Sequence, residues 1–225
     1  MRRVCLALAT LGLLADAAGA AAECQSATPP EVLVQTQAPK VSHDQAMTRD
    51  QIFAFVRRTD PAGGKGYDGV LGITETDMGR NARSELKVEH NPEGGVCVSL
   101  ATIEVDLSWK ITVHVASELR RGSCMYGVVS THEQGHVDID LKAMGYSQAL
   151  IKKELQAFPS QSVAAATPDE GAEVLQRALG AKLDAIFAKL DAEVKRRQNA
   201  HDTPEEYRKG AKQCGAVENN RALGS

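Results

Sequence analysis

Residues 96–107 (VCVSLATIEVDL) and 109–116 (WKITVHVA) alternate apolar side chains, many of them β-branched, with polar ones. This period of two is typical of strands that bury one face. The same pattern occurs upstream in residues 70–76 (VLGITET) and 84–90 (SELKVEH), and turn-forming residues such as 91–95 (NPEGG) separate the segments. The region therefore predicts three to five strands, joined by hairpins into a small antiparallel or mixed sheet.

The period becomes helical after Ser123, and helical character continues through residues 141–158. Residues 159–166 are predicted to be a linker. Two more helix starts follow at residues 167–170 (TPDE) and 203–206 (TPEE), where threonine is the cap, proline takes the first helical position and glutamate completes a capping box. The leucine-rich stripe between them favours a core-facing helix over a dimer seam. A sheet followed by helices indicates an α+β protein.

The chain before the sheet begins with a segment typical of exported proteins. Residues 1–22 combine two arginines, an apolar stretch and small residues at the expected cleavage site, which is the pattern of a secretory signal peptide. Residues 31–37 then alternate like a strand, residues 48–58 have the pattern of a short helix, and the glycines of residues 62–66 predict a flexible loop. We therefore expect a secreted or periplasmic protein with no membrane insertion after signal cleavage.

Charge argues against one class of partner. Cleavage after Ala22 takes the formal net charge from −3 to about −4, because it removes two arginines and one aspartate. Such a chain has no basic surface of the kind that nucleic acid requires. The oligomeric state does not follow from the sequence.

Four cysteines remain after cleavage, and an even number in an oxidising compartment indicates two disulfides rather than free thiols. Cys97 and Cys124 flank the strand region, whereas Cys24 and Cys214 lie near the two ends of the chain. This order favours pairing Cys97 with Cys124, and Cys24 with Cys214, among the three possible connectivities.

Residues 132–136 (HEQGH) place the pattern His-Glu-x-x-His on the predicted helix. Histidines four residues apart lie on one helix face, close enough for both to bind one ion. Glu133 lies about 100° round the helix, where it can act on a metal-bound water without binding the metal. The pattern predicts Zn²⁺ held by His132 and His136, with Glu133 as general base. Mostly uncharged neighbours favour this interpretation over a solvated helix.

The third metal ligand is expected from a later element. Asp140 shares the face of the two histidines, but it lies ~6 Å along the helix axis from His136, too far for a short side chain. It is predicted instead to be a partner of His136 or a solvated acid. The remaining candidates are Glu154, Glu170, Glu173 and, at the predicted corner between two helices, His201 and Asp202.

Two further roles have several candidates. A hydrogen-bond donor is needed for the oxyanion that develops during peptide hydrolysis. The possible donors are Tyr126, Tyr146, Tyr207, His114 and His201. Residues 111–116 (ITVHVA) either present a free strand edge to an extended peptide or form an interior strand.

Three segments together resemble a bacterial family of predicted secreted Zn-dependent proteases, known mainly as a domain of unknown function. They are residues 94–115 (GGVCVSLATIEVDLSWKITVHV), 124–140 (CMYGVVSTHEQGHVDID) and 199–202 (NAHD). The resemblance covers most of residues 30–205. It implies a zincin-like domain over residues 23–158, with residues 159–225 as a helical region packed on the same domain.

The same resemblance implies roles for individual residues. His132 and His136 match the zinc histidines, Glu133 matches the base, and Asp202 matches the terminal aspartate of the family. The chain departs from the family at this end, because His201 stands where a tyrosine is expected and the Thr-x-His-Gly segment is missing. Asp202 is therefore the expected third ligand, with His201 as the alternative.

The motif and the resemblance predict a secreted zinc metallopeptidase that hydrolyses peptides or proteins outside the cytoplasm. In this hypothesis Glu133 takes a proton from a zinc-activated water and passes it to the leaving amine. The alternative is a non-enzymatic envelope binding module, in which the sheet and the helix over residues 169–198 engage a partner. A fourth protein ligand on the zinc would favour the second hypothesis, because structural zinc sites are closed.

Overall fold

The computed structural model describes residues 24–25, 27–59, 70–158, 160 and 162–215. The predicted signal peptide and the glycine-rich loop of residues 62–66 lie outside the described residues. The strands are β1 (Glu31–Thr36), β2 (Lys40–Asp44), β3 (Gly72–His90), β4 (Val96–Val115) and β5 (Val163–Ala165). The helices are α1 (Arg49–Thr59), α2 (Cys124–Gln156), α3 (Pro168–His201) and α4 (Pro204–Gln213). The predicted α+β class is confirmed.

All four other strands of the described sheet pair with β4. β3 runs antiparallel to β4 along its whole length, so β1, β2 and β5 must share the other edge. β1 and β2 run parallel to β4, which makes the sheet mixed, with three of its five strands in one direction. The antiparallel option is wrong for these two strands. Because α1 and β3 separate them from β4 along the chain, no hairpin imposes an antiparallel direction.

The four strand segments predicted in the middle of the chain form only two strands, of 19 and 20 residues. β4 stays amphipathic over this length because of a β-bulge that leaves Ala101 without a partner on β3. Before the bulge Val98 and Leu100 are buried, and after it Ile103 and Val105 are, so the apolar side chains remain on one face. β5, within the segment predicted as a linker, was not anticipated.

α2 and α3 pack side by side in opposite directions. His136 contacts Gln198 near one end of the pair, and Glu154 contacts Lys182 near the other. The leucine stripe of α3 is buried together with β4 and α2, which confirms the prediction of a core-facing helix. The threonine caps of α3 and α4, at Thr167 and Thr203, are also confirmed.

Two disulfides are present, but the predicted pairing is wrong: Cys24 bonds to Cys97, and Cys124 bonds to Cys214. Cys97 is the second residue of β4, and Cys124 follows the far end of that strand, up to about 60 Å of extended chain away. Chain order therefore misled the prediction. Cys214 instead follows the end of α4, and α4 packs on α2 near Cys124, the first residue of α2.

Within the described residues, no helix is both long and apolar enough to cross a membrane.

Candidate metal centre

The predicted motif lies on α2, with its side chains directed into the protein. His136 and Glu133 are only 8% and 4% exposed. The ring centroids of His132 and His136 are 5.0 Å apart. The two imidazoles therefore share one helix face, as the four-residue spacing predicts.

Asp202 joins these histidines from the corner between α3 and α4. Its Oδ1 lies 3.0 Å from Nε2 of His132 and 3.0 Å from Nε2 of His136. Ligand atoms bonded to one tetrahedral zinc ion at about 2.1 Å lie roughly 3.4 Å apart. The two distances from Asp202 are thus close to the spacing that zinc requires, and two imidazoles with a carboxylate are donors that zinc accepts.

His201 lies beside the same cluster. Its ring stacks on that of His132, with centroids 4.5 Å apart and planes within 14° of parallel. Nε2 of His201 lies 3.0 Å from the backbone oxygen of His132, so Nε2 donates and the lone pair is on Nδ1. The three histidines offer ligand atoms within 4.8 Å of one another and could together hold a metal ion.

Gly135 allows this close approach of His201 to α2. A Cβ atom at this position would lie 2.3 Å from Nε2 of His201 and 2.6 Å from its Cε1. The imidazole therefore occupies the space that a side chain at position 135 would fill. The glycine inside the His-Glu-x-x-His pattern is the one sequence signal for this contact, which was not predicted.

β3 holds the carboxylate of Glu133 in place. The Thr74 hydroxyl lies 2.8 Å from Oε2 of Glu133 and 3.2 Å from its backbone oxygen. A Cβ atom at Gly72 would lie 2.7 Å from Oε1, so the strand backbone closely covers the carboxylate. Burial raises the pKa of Glu133, although the charge of His136 and the Thr74 hydrogen bond oppose the shift. A raised pKa suits a general base that must later release its proton.

Several influences act on the pKa of His136. Burial is the largest single one, and it lowers the pKa because it disfavours the charged imidazolium. The hydrogen bond to Asp202, the charges of Asp202 and Glu133 and the contact with Gln198 together outweigh burial and raise the pKa of His136 to about 9. A metal ion that binds Nε2 must therefore displace a proton at neutral pH.

Asp140 reaches His136 only through another side chain. It is 4% exposed, and it accepts hydrogen bonds from the Thr76 hydroxyl and from Nε2 of Gln198. The Oε1 atom of Gln198 lies 2.5 Å from Nδ1 of His136. Thr74, Thr76 and Gln198 were not among the site residues predicted from the sequence. The two threonines alternate along β3 in the manner of a half-buried strand, but nothing in the sequence marks Gln198.

Residues 111–115 belong to an interior strand, one of the two predicted alternatives, because β4 is paired with β2 on one side and β3 on the other. His114 lies on the opposite face of β4 from the buried residues, beside Asp44 and Glu75, and not at the metal centre. Tyr146 is 48% exposed, and the side chain of Tyr207 lies outside the described part of the chain.

The other candidate ligands lie away from the cluster. Glu154 pairs with Lys182 and Lys189, Glu170 accepts from the backbone at Ala166, and Glu173 pairs with Arg177.

The comparison with protein-family models, characterised proteins and solved structures found no match for this chain. The resemblance to the secreted protease family therefore stays a prediction.

Proposed function

We propose that this chain is a secreted zinc metallopeptidase in which His132, His136 and Asp202 bind the ion. The observation that carries the proposal is the position of Asp202 Oδ1, 3.0 Å from both Nε2 atoms of the motif. Two imidazoles and one carboxylate oxygen would hold the ion with three protein ligands, the number found in catalytic zinc sites, which also bind a water. The disulfides suit an oxidising compartment and so support secretion.

Each side chain then has a defined task. A bound zinc ion would supply the acidity, because zinc lowers the pKa of a bound water to about 7 and polarises a carbonyl group. Glu133 takes the proton from that water and returns it to the leaving amine. Thr74 orients the Glu133 carboxylate through its hydroxyl, and the burial of that carboxylate keeps its pKa high enough for proton return.

The test compares the wild-type chain with Glu133→Gln. We expect about one zinc per wild-type chain and hydrolysis of a mixed peptide substrate. Glu133→Gln should retain the zinc and lose the hydrolysis, because the amide cannot accept the proton. Glu173→Gln, at an exposed position on α3, is the matched control and should keep both properties. Hydrolysis by Glu133→Gln at the wild-type rate would contradict the mechanism.

One observation favours the alternative function, a binding module with structural zinc. His201 adds a fourth donor group to the cluster, and four protein ligands would close the site to water. In that case His201→Ala should weaken zinc binding as strongly as Asp202→Ala does. In the proposed peptidase, Asp202→Ala weakens binding far more, since His201 does not bind the metal. Zinc affinities of both variants, measured against a competing chelator, separate the two functions.

A further inference from the structure

The side chain of Gln198 bridges the metal centre and the buried carboxylate of Asp140. Its Nε2 lies 2.7 Å from Oδ1 of Asp140, and its Oε1 lies 2.5 Å from Nδ1 of His136. The same Nε2 is 3.4 Å from the backbone oxygen of His136. One residue of α3 therefore contacts two residues of α2 that are one helical turn apart.

The chemistry of these groups determines the direction of the hydrogen bonds. A carboxylate can only accept, so the amide nitrogen of Gln198 must face Asp140. The amide oxygen then faces Nδ1 of His136, and this nitrogen must carry a hydrogen. The lone pair of a neutral His136 is consequently on Nε2, which is the atom beside Asp202 and the one that a metal needs.

β3 anchors the carboxylate of Asp140, at the other end of this series of hydrogen bonds. The Thr76 hydroxyl donates to Oδ2 of Asp140, so that both carboxylate oxygens accept a hydrogen bond. Thr76 is itself fixed in the sheet, where it pairs with Ile111 of β4. This series of hydrogen bonds thus connects the rigid centre of the sheet, through residues of α2 and α3, to the imidazole of His136.

We propose that Thr76, Asp140 and Gln198 form a positioning relay that holds His136 in the tautomer and orientation required for metal binding, and thereby sets the metal affinity. The relay rests on the proposed metal centre. Its members are positioning residues, because they act on the metal only through His136. Hydrogen-bond partners of metal-bound histidines typically change metal affinity by about 10- to 100-fold.

The first experiment removes the central amide. The zinc affinity of Gln198→Leu, measured by competition with a chromophoric chelator, should be about 10- to 100-fold weaker than that of the wild-type chain. The absorption spectrum of the cobalt-loaded protein should also change, because the ring of His136 is no longer held. Gln176→Leu changes the same residue type at an exposed position of α3 and should match the wild-type chain. Equal zinc affinities for Gln198→Leu and the control would overturn the relay.

The second experiment exchanges donor and acceptor, and it decides the question even where Gln198→Leu does not fold. Gln198→Glu alone sets two carboxylates against each other and should weaken zinc binding. Adding Asp140→Asn restores an amide donor at 140 and a carboxylate acceptor at 198, so affinity and cobalt spectrum should return to near wild type. A double variant that binds no better than Gln198→Glu refutes the relay.

The failure of the relay is distinguishable from that of the proposed function. Wild-type protein that binds zinc but hydrolyses no peptide contradicts the peptidase, while the affinity series still tests the relay. If the wild-type protein hydrolyses peptides with zinc, and the zinc affinities of the Gln198 variants equal that of the wild-type chain, only the relay is contradicted.

Discussion

The two ends of the α2–α3 pair bury different sets of side chains. At the metal end, which contains the cluster around His136, Glu133 and Asp140 are buried as well. At the core end, α2 contributes Ile151 and Leu155 to an apolar cluster. The same two helices therefore bury ionisable side chains beside apolar ones such as Val137 at one end, and mainly apolar side chains at the other.

The difference bears on how each end contributes to the stability of the fold. Burial raises the pKa of both Glu133 and Asp140, which means that the folded protein resists ionising them. Hydrogen bonds from Thr74 and Thr76 reduce that cost without removing it. We infer that the core end contributes more to the stability of the helix pair than the metal end does.

The disulfides give the largest expected contrast between the ends. Cys24–Cys97 and Cys124–Cys214 close loops with sequence separations of 73 and 90 residues, so each should stabilise the fold by about 4–5 kcal/mol in the chain-entropy model. Only the second anchors α4 beside the metal centre. Replacing both cysteines of either pair by alanine should lower the free energy of unfolding similarly in urea titrations. Zinc affinity should fall only without Cys124–Cys214, and an equal fall for the other pair would refute the contrast.

A cavity at the core end should destabilise the protein without affecting the metal. Ile151 is fully buried between α2 and its neighbours. Ile151→Ala should therefore lower the free energy of unfolding by about 3 kcal/mol, through lost burial and the cavity that remains. Zinc affinity measured well below the melting temperature should stay within about twofold of wild type. A large loss of affinity would show that the two ends are coupled through the helices. Ala149→Gly, at an exposed position of α2, is a control for helix propensity alone.

The metal end should respond to pH when a chelator keeps it free of metal. The pKa of His136 is about 9, above its ordinary 6.5, so the protonated form stabilises the fold. That contribution, at most about 3 kcal/mol, is complete below pH 6.5 and is lost as the pH rises through 9. Urea titrations in chelator at pH 6.5 and 9.5 should show this loss in the wild-type chain and not in His136→Gln. His43→Gln, on the exposed strand β2, is the control and should behave as wild type.

The sequence predicted the elements better than their arrangement. Caps at Thr167 and Thr203 and the four-residue histidine spacing are local signals, and each is found as expected. The direction of β1 against β4 and the partner of Cys97 depend on contacts between distant segments, which no local pattern encodes. For the cysteines, chain order was used in place of such contacts, and the predicted pairing was wrong.

The site residues were likewise predicted where local signals mark them and missed where contacts between distant segments define them. The motif on α2 and the corner at residues 201–202 were recognisable because spacing and caps mark them. Thr74 and Gln198 were not, since a threonine in a strand and a glutamine in a helix are common residues whose roles appear only when α2 meets β3 and α3. Residues that surround a metal centre are harder to predict than its ligands, because their chemistry is not restricted to a few residue types.

The smallest predicted effect concerns Gly135, and it bears on how tightly the metal end is packed. Gly135→Ala would put a methyl group where the ring of His201 now lies, so the ring must move or the corner must open. Overpacking of this kind costs about 1–3 kcal/mol. Alanine also favours helix by about 1 kcal/mol, so the net loss of unfolding free energy should be about 1 kcal/mol. Gly145→Ala, where a Cβ atom meets nothing within 4 Å, should instead stabilise α2. If His201→Ala relieves the penalty of Gly135→Ala in a double-mutant cycle, the clash is the cause. If the two effects simply add, the imidazole does not restrict position 135, and the metal end is more loosely packed than the contact of His201 with α2 indicates.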